Sequence, residues 1–166
     1  MRSLTDRALN TAASLGVAYA DIRILHRTEQ TVTTKNGTVG TVSENQDQGF
    51  GIRVVADGAW GFASSALLEP AEIDRVATLA VDIARASAQV QREEGVDLGP
   101  AMEHVDHYRT PVEIDPFSIP LEQKIDLLLQ ADAAMQRVQG IRVRQANAVS
   151  LRENKVFASS EHSYVE

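Results

Sequence analysis

The sequence has 166 residues, 43% of them hydrophobic and 23% charged, with a formal net charge of −7. That length and balance fit one globular domain able to bury a core, and the acidic surface disfavours direct binding to a nucleic-acid backbone. The absence of cysteine excludes disulfides, thiolate metal ligands and cysteine nucleophiles within the chain.

The N-terminal run lacks the apolar core of a signal peptide, and no stretch approaches the ~20 apolar residues of a membrane span. A soluble, cytoplasmic protein without a membrane partner is the expectation. Ser3 and Asp6 form an S-x-x-D box that predicts a first helix. Leu4, Ala8, Ala12 and Leu15 fall on one helical stripe, and Gly16 supplies the stop.

A β region follows. Ile22, Ile24 and Val32 share a parity in an extended segment from Asp21 to Lys35. Asn36-Gly37 is a strong two-residue hairpin signal, because both positions of a type I′ turn need positive φ. The return strand runs from Thr38 past Val55, with a bulge or bend expected. Asp57-Gly58 is a second turn of the same kind, and Ala59 to Ser65 makes the third strand. Residues 20–65 thus read as an antiparallel meander. Its arms near Asn36-Gly37, TEQTVTTKNGTVGTVSENQDQ, are polar on both faces. They either protrude or lie against another domain or subunit.

Pro70, Glu72 and Asp74 suit the first turn of a second helix. Ile73, Val76, Ala77, Ala80, Ile83 and Ala84 form its stripe, predicted to cover one sheet face. Residues 89–119 hold Gly95, Gly99, Pro100, Pro111 and Pro116 and read as a linker or crossing loop. Pro120 opens a third helix, with Leu121, Ile125, Leu128, Met135 and Val138 on its buried face and Gly140 at its end. Ile141 to Arg152 reads as a strand whose Arg142, Arg144 and Arg152 make a solvated face. Glu153-Asn154 is the expected turn, and Lys155 to Glu166 the partner strand. Phe62-Ala63-Ser64-Ser65 recurs as Phe157-Ala158-Ser159-Ser160, each predicted on a strand leaving a turn. The chain stops in an extended segment, which reads as a piece of a longer protein.

Four glycines between Gly49 and Gly61 raise the question of a phosphate loop. A Rossmann fingerprint needs G-x-G-x-x-G between strand and helix, and a P-loop needs G-K-S or G-K-T. Here Val54 follows G-F-G-I-R, and the continuation is strand. A hairpin about Asp57-Gly58 explains more. It sets Arg53 opposite Phe62, Val55 opposite Trp60 and Gly51 opposite Ser64. Phe50, Ile52 and Val54 then share one face with Gly61 and Ala63. Trp60, Phe62 and Arg53 share the other, with a ring over Gly51 and Arg53 stacked on it. His104 and His107 give H-x-x-H beside Glu103 and Asp106, but in a proline-rich loop rather than a zinc-binding helix. His26 and His162 read as surface or partner-contact residues. Ser64, Ser65, Ser159 and Ser160 read as strand ends, since none sits in a G-x-S-x-G elbow. No catalytic, cofactor-binding or metal-binding residue is assigned.

The run from Asn36-Gly37 through G-F-G-I-R-V to D-G-A-W-G-F-A-S, with the A-D-I-R strand and the S-L-R-E-N segment, resembles the N-terminal domain of the TldD/PmbA family. The resemblance covers essentially the whole chain and is most specific from Gly49 to Ser64. It implies a cytosolic zinc-dependent peptidase, of a family some of whose members are described as modulators of DNA gyrase. It also implies subunit pairs, homodimeric or of TldD–PmbA (TldE) type, acting on unstructured peptides. TldD-type subunits carry zinc on H-E-x-x-x-H plus a downstream cysteine. This chain has neither an H-E dipeptide nor a cysteine, so the resemblance places zinc in central and C-terminal domains that residues 1–166 lack. Whether the parent is TldD-like or PmbA-like stays open.

The expected fold is α+β, a twisted antiparallel sheet with helices mainly on one face. It is read as one domain in three stretches, 1–88, 89–119 and 120–166. The expected function is a non-catalytic accessory and assembly domain, contacting the parent's other domains and a partner subunit. The alternative is a binding module that pairs its strand edge with extended peptide. An autonomous small-molecule enzyme finds no motif.

Overall fold

The first helix, α1 (Arg2–Ser14), begins one residue before the expected box. Met1 is the N-cap and makes no side-chain cap, so Ser3 lies inside the helix and the S-x-x-D box is not formed. Thr5 instead bonds back to the Arg2 carbonyl at 2.8 Å. Ala8 and Ala12 are buried, Leu4 and Leu15 pack at the rim of the core, and Gly16 follows at φ +76°. This is the computed structural model of the chain, and it describes residues 1–91, 95–101 and 103–166. Residues 92–94 and 102 of the expected crossing loop lie outside the described residues.

The meander matches its sequence signals. Strands β1 (Tyr19–Lys35) and β2 (Thr38–Ala56) flank Asn36 and Gly37 at φ 50° and 78°. Asp57 and Gly58, at φ 52° and 79°, lead into β3 (Ala59–Ser65). These are type I′ values, and their twist suits the strands they join. The Asn36-Gly37 turn alone would set odd residues of β2 opposite even residues of β1. Yet Ile22 and Ile24 share a core with Phe50, Ile52 and Val54. One extra residue on β2 restores the match. Thr33 Oγ1 lies against Gly40 and accepts the Thr41 amide at 2.7 Å, as expected beside a bulge.

Next come α2 (Pro70–Ala88), the two-residue β4 (Val105–Asp106), a 3₁₀ turn at Pro116–Ser118, and α3 (Leu121–Gln136). The chain ends with β5 (Gln145–Ser159) and β6 (Tyr164–Val165). The strand order is β3-β2-β1-β5-β6-β4. The fold is α+β, with one departure from an all-antiparallel sheet: β4 runs parallel to β6.

Three sequence expectations are corrected. On α2, Ile83 is exposed and Val81 takes its place in the core. On α3, Val138 lies past the helix end and is exposed, while Lys124, Leu128 and Asp132 are buried. The turn at Glu153-Asn154 does not exist. Neither residue has positive φ, and β5 runs straight through them for 15 residues beside the 17-residue β1. The reversal comes later, where Ser159 donates to the Ser163 carbonyl and His162 takes φ +65°. The second F-A-S-S therefore follows no turn. The two copies still share a logic, since Ala63 and Ala158 are both in the core.

The chain divides into two units. The first comprises Met1–His26, Gln48–Arg109 and Asn154–Glu166. Its core joins α1 and α2 to the strands through Ile22, Ile24, Ile52, Val54, Ile73, Val76 and Val81. Full burial of such a side chain is worth about 1.5–3 kcal/mol as an upper estimate. Arg7 grips Asp74 with two nitrogens at 2.5–3.0 Å, and Thr11 adds a bond at 2.8 Å, tying α1 to α2.

The second unit comprises Arg27–Asp47 and Thr110–Glu153. The polar arms thus have a local partner that the sequence reading missed, and Val32 and Thr34 are each 1% exposed. Asp132 pairs with Arg144 at 3.1 Å, so Arg144 is not on a solvated face. Lys124 contacts Gln30 Oε1 and Ser150 Oγ and lies 5.7 Å from the Phe117 ring centre. Arg152 stacks on the same ring at 4.5 Å and pairs with Asp115.

Candidate functional site

Strand alternation separates the first unit's residues into two sets. Ala20, Ile22, Phe50, Ile52, Val54, Gly61 and Ala63 face the helices. Tyr19, Asp21, Arg23, Arg53, Trp60, Phe62 and Phe157 face the other way. The β2–β3 register is the one read from the Asp57-Gly58 turn: Arg53 opposite Phe62, Val55 opposite Trp60, Gly51 opposite Ser64.

Two glycines make this hairpin fit. A Cβ on Gly61 would lie 1.9 Å from the Ala80 carbonyl oxygen and 2.6 Å from the Ala84 nitrogen, so α2 rests directly on β3. A Cβ on Gly51 would lie 2.8 Å from the Phe62 ring, which covers the bare strand. No phosphate cradle is needed to explain either glycine.

The helix-free face carries an organised cluster. Asp21 is 1% exposed, and Arg53 donates to it from Nε at 2.9 Å and Nη2 at 2.7 Å. The Asp21 hydrogen bond and charge raise the Arg53 pKa above its ordinary value. The guanidinium sits 5.2 Å from the Trp60 ring centre, and Tyr19 meets Trp60 edge-on at 5.9 Å. Arg53 therefore stacks on Trp60, not on Phe62 as the sequence suggested. Burial, then Asp21, push the Tyr19 hydroxyl up to about 12. Alongside, Arg23 lies 5.5 Å over Phe157. Trp60 and Phe62 remain 38% and 55% exposed, so the cluster offers rigid aromatic surface to solvent. Sequence reasoning found Arg53, Trp60 and Phe62 but missed Tyr19 and Asp21. Their signal is parity, since both alternate with Ala20 and Ile22.

The remaining sequence candidates do not converge. His104 and His107 are exposed, and the Val105–Asp106 strand lies between them. Extended backbone sends side chains three apart to opposite sides. Their amides bond to Ser163 Oγ and Asp106 Oδ1. Among the described residues no three His, Cys, Asp or Glu side chains gather as a metal site. His26 Nε2 is buried without a partner, and His162 sits in the last turn. Ser65 and Ser160 bond to the backbone amides of Leu67 and Ala20. No helix among the described residues is long and apolar enough to cross a membrane.

Residues 20–84 match the family described as PmbA/TldA metallopeptidase domain 1. That span starts in β1 and ends in α2, and so holds most of the cluster. A metalloprotease of Methanocaldococcus jannaschii is 27% identical over 150 residues, covering 89% of this chain and 32% of that protein. A metalloprotease of Methanothermobacter thermautotrophicus is 27% identical over 150 residues, covering 90% and 31%. The chain thus spans about a third of the length of these curated relatives. Among solved structures, a candidate modulator of DNA gyrase from Thermotoga maritima has TM-score 0.72 at 18% identity, over 99% of this chain and 36% of that one. TldE from Thermococcus kodakarensis has TM-score 0.71 at 12% identity, over 96% and 35%. A candidate modulator from Bacteroides thetaiotaomicron has TM-score 0.76 at 14% identity, over 98% and 37%. These likenesses show a shared fold.

Proposed function

We propose that this chain, whose residues 20–84 match the family described as PmbA/TldA metallopeptidase domain 1, is the N-terminal accessory and assembly domain of a TldD/PmbA-type zinc peptidase. The observation that carries this reading is the face built by Tyr19, Asp21, Arg53, Trp60 and Phe62. Trp, Tyr and Arg dominate binding energy at protein interfaces, and rings held in place lose little entropy on docking. A buried Asp21 carboxylate held by a partly exposed Arg53 beneath exposed aromatics supports a contact role for this face.

In this reading the face meets other domains of the parent peptidase or a TldD–PmbA-type partner, and so shapes the path of an unstructured peptide in the cytoplasm. Zinc and the catalytic groups are supplied by residues outside 1–166. Purified residues 1–166 are expected to hold no stoichiometric zinc and to leave an unfolded peptide uncut. Association with the remaining polypeptide of the parent, added in trans, is expected to weaken by about 2 kcal/mol in Trp60→Ala. Stoichiometric zinc on His104 and His107, or hydrolysis by this chain alone, would sink the proposal.

A second reading, pairing with extended peptide, rests on a different observation. The β2–β3 ladder ends at Phe50 opposite Ser65. From Thr38 to Asp47, β2 therefore has β1 on one side and, among the described residues, no strand on the other.

A further inference from the structure

The two long helices are seated by different chemistry. The six residues that α2 buries, Ile73, Val76, Ala77, Ala80, Val81 and Ala84, are all apolar. In the second unit α3 buries Lys124, Leu128 and Asp132, one per turn along a single stripe. Only the leucine of these three gains by leaving water. Ile125 and Leu129 beside it are half-buried. Asp132 keeps its Arg144 ion pair at 3.1 Å. Lys124 has neutral partners, Gln30 Oε1, Ser150 Oγ at 3.4 Å and the Phe117 ring. The carboxylate of Glu44 stands one amide further out, accepting from Gln30 Nε2 at 3.1 Å. A buried ammonium bonded directly to neutral groups retains much of its desolvation cost.

Thr34 adds a second cost. It shares strand parity with Gln30, which Lys124 contacts, so it lies on the face that α3 covers. It is 1% exposed, and among the described residues its Oγ1 has no hydrogen-bond partner. Water relieves both costs once the helix lifts. The strands beneath do not need the helix to stay paired. Asn36 donates its amide to the Arg144 carbonyl at 3.0 Å and accepts the Arg144 amide on Oδ1 at 2.9 Å, closing the end of the β1–β5 pairing. We infer that α3 is a detachable cover. It leaves the inner face of β1 and β5 as one piece while the arms stay paired, baring Gln30, Val32, Thr34 and Ser150. Cooperative local openings of this kind draw on elements with few buried apolar contacts.

Amide hydrogen exchange on the 166-residue chain, read residue by residue, tests this. The amides of α3 from Ile125 onward are expected to share one opening constant, about a hundredfold or more above that of α2. Amides 28–34 of β1, which lies between two strands, should stay protected through that opening. Thr34→Val replaces the unpartnered hydroxyl by a methyl, and Lys124→Met removes the ammonium. Each should lower the α3 opening constant about fivefold and leave α2 unchanged. Slowing in one variant alone assigns the cost to that residue and leaves the cover standing. Protection of α3 as strong as that of α2 overturns the inference. Release of 28–34 together with α3 also overturns it, since the second unit then opens as a whole. So does α3 exchange that is unchanged or faster in both variants, because the polar contacts would then hold the helix down.

Discussion

Replacing Gly61 by alanine tests how the exposed cluster is held. The added methyl would sit 1.9 Å from the Ala80 carbonyl oxygen, 2.6 Å from the Ala84 nitrogen and 2.9 Å from its Cβ. Ordinary contact begins near 3.4 Å, so α2 must retreat by roughly 1.5 Å along a helix whose Ile73, Val76, Ala77, Ala80 and Ala84 are fully buried. Backbone atoms cannot swing aside as a side chain would. Overpacking of this kind costs ~1–3 kcal/mol, here at the upper end. Alanine returns about 0.4–1 kcal/mol by restricting the unfolded chain. The net is about 2 kcal/mol, or a fall of about 4–8 °C in Tm for a chain of this size. Urea unfolding followed by Trp60 fluorescence reads the loss where it occurs. Gly51→Ala is the control: the obstacle is the Phe62 ring, 55% exposed and free to rotate outward, so the cost should stay below about 0.5 kcal/mol. A Gly61→Ala chain within about 0.5 kcal/mol of the parent, or a Gly51→Ala chain equally damaged, would refute the close helix–strand packing argued above.

Arg53→Ala leaves the Asp21 carboxylate, 1% exposed, without its partner. The full cost of such a break is about 3–5 kcal/mol, reduced to about 2 because the Arg53 side chain is 40% exposed and water follows it out. Adding Asp21→Asn should recover much of that loss, and a double-mutant cycle shows whether it does. Tyr19 gives a pH signature. Its folded pKa, about 12, lies above the ordinary 10, so the native state holds the phenolic proton more tightly. This stabilisation is complete below pH 10 and is lost as pH rises through 12, amounting to about 2–3 kcal/mol. Phenolate absorbance should place one tyrosine near 12, and Tyr19→Phe should flatten stability between pH 10 and 12 by that amount. In the second unit, Lys124→Met removes a buried ammonium whose side-chain partners are Gln30, Ser150 and the Phe117 ring. A flexible apolar chain of similar length should be neutral or stabilising by about 1 kcal/mol, and a loss above about 2 kcal/mol would mean that the ammonium holds α3 in place.

Legibility in the sequence tracks how local the deciding physics is. Asn36-Gly37 and Asp57-Gly58 need positive φ, and few residue pairs supply it, so both turns and the whole β2–β3 register were readable. The α2 stripe was readable because 3.6-residue periodicity is a property of the segment itself, although Val81, not Ile83, faces the core. Glu153-Asn154 looks like a turn by composition. The pairing of β5 along a 17-residue neighbour outweighed that weak local preference. On α3 the apolar pattern misled, because burial of Lys124 and Asp132 depends on Gln30 and Arg144, brought from elsewhere in the chain.

The candidate face divides the same way. Alternation and one tight turn determined that Arg53, Trp60 and Phe62 share a side, and that glycine lies beneath the Phe62 ring. Only the tertiary structure decided that β1 lies beside β2 in a register that slides Asp21 under Arg53 and Tyr19 against Trp60. It also decided that β3 stops short and leaves ten residues of β2 with no outer strand among the described residues. A turn is chosen by the backbone preferences of two residues. An ion pair on a buried carboxylate, or the end of a ladder, is chosen by which distant strands meet and where they end, and no local propensity encodes that.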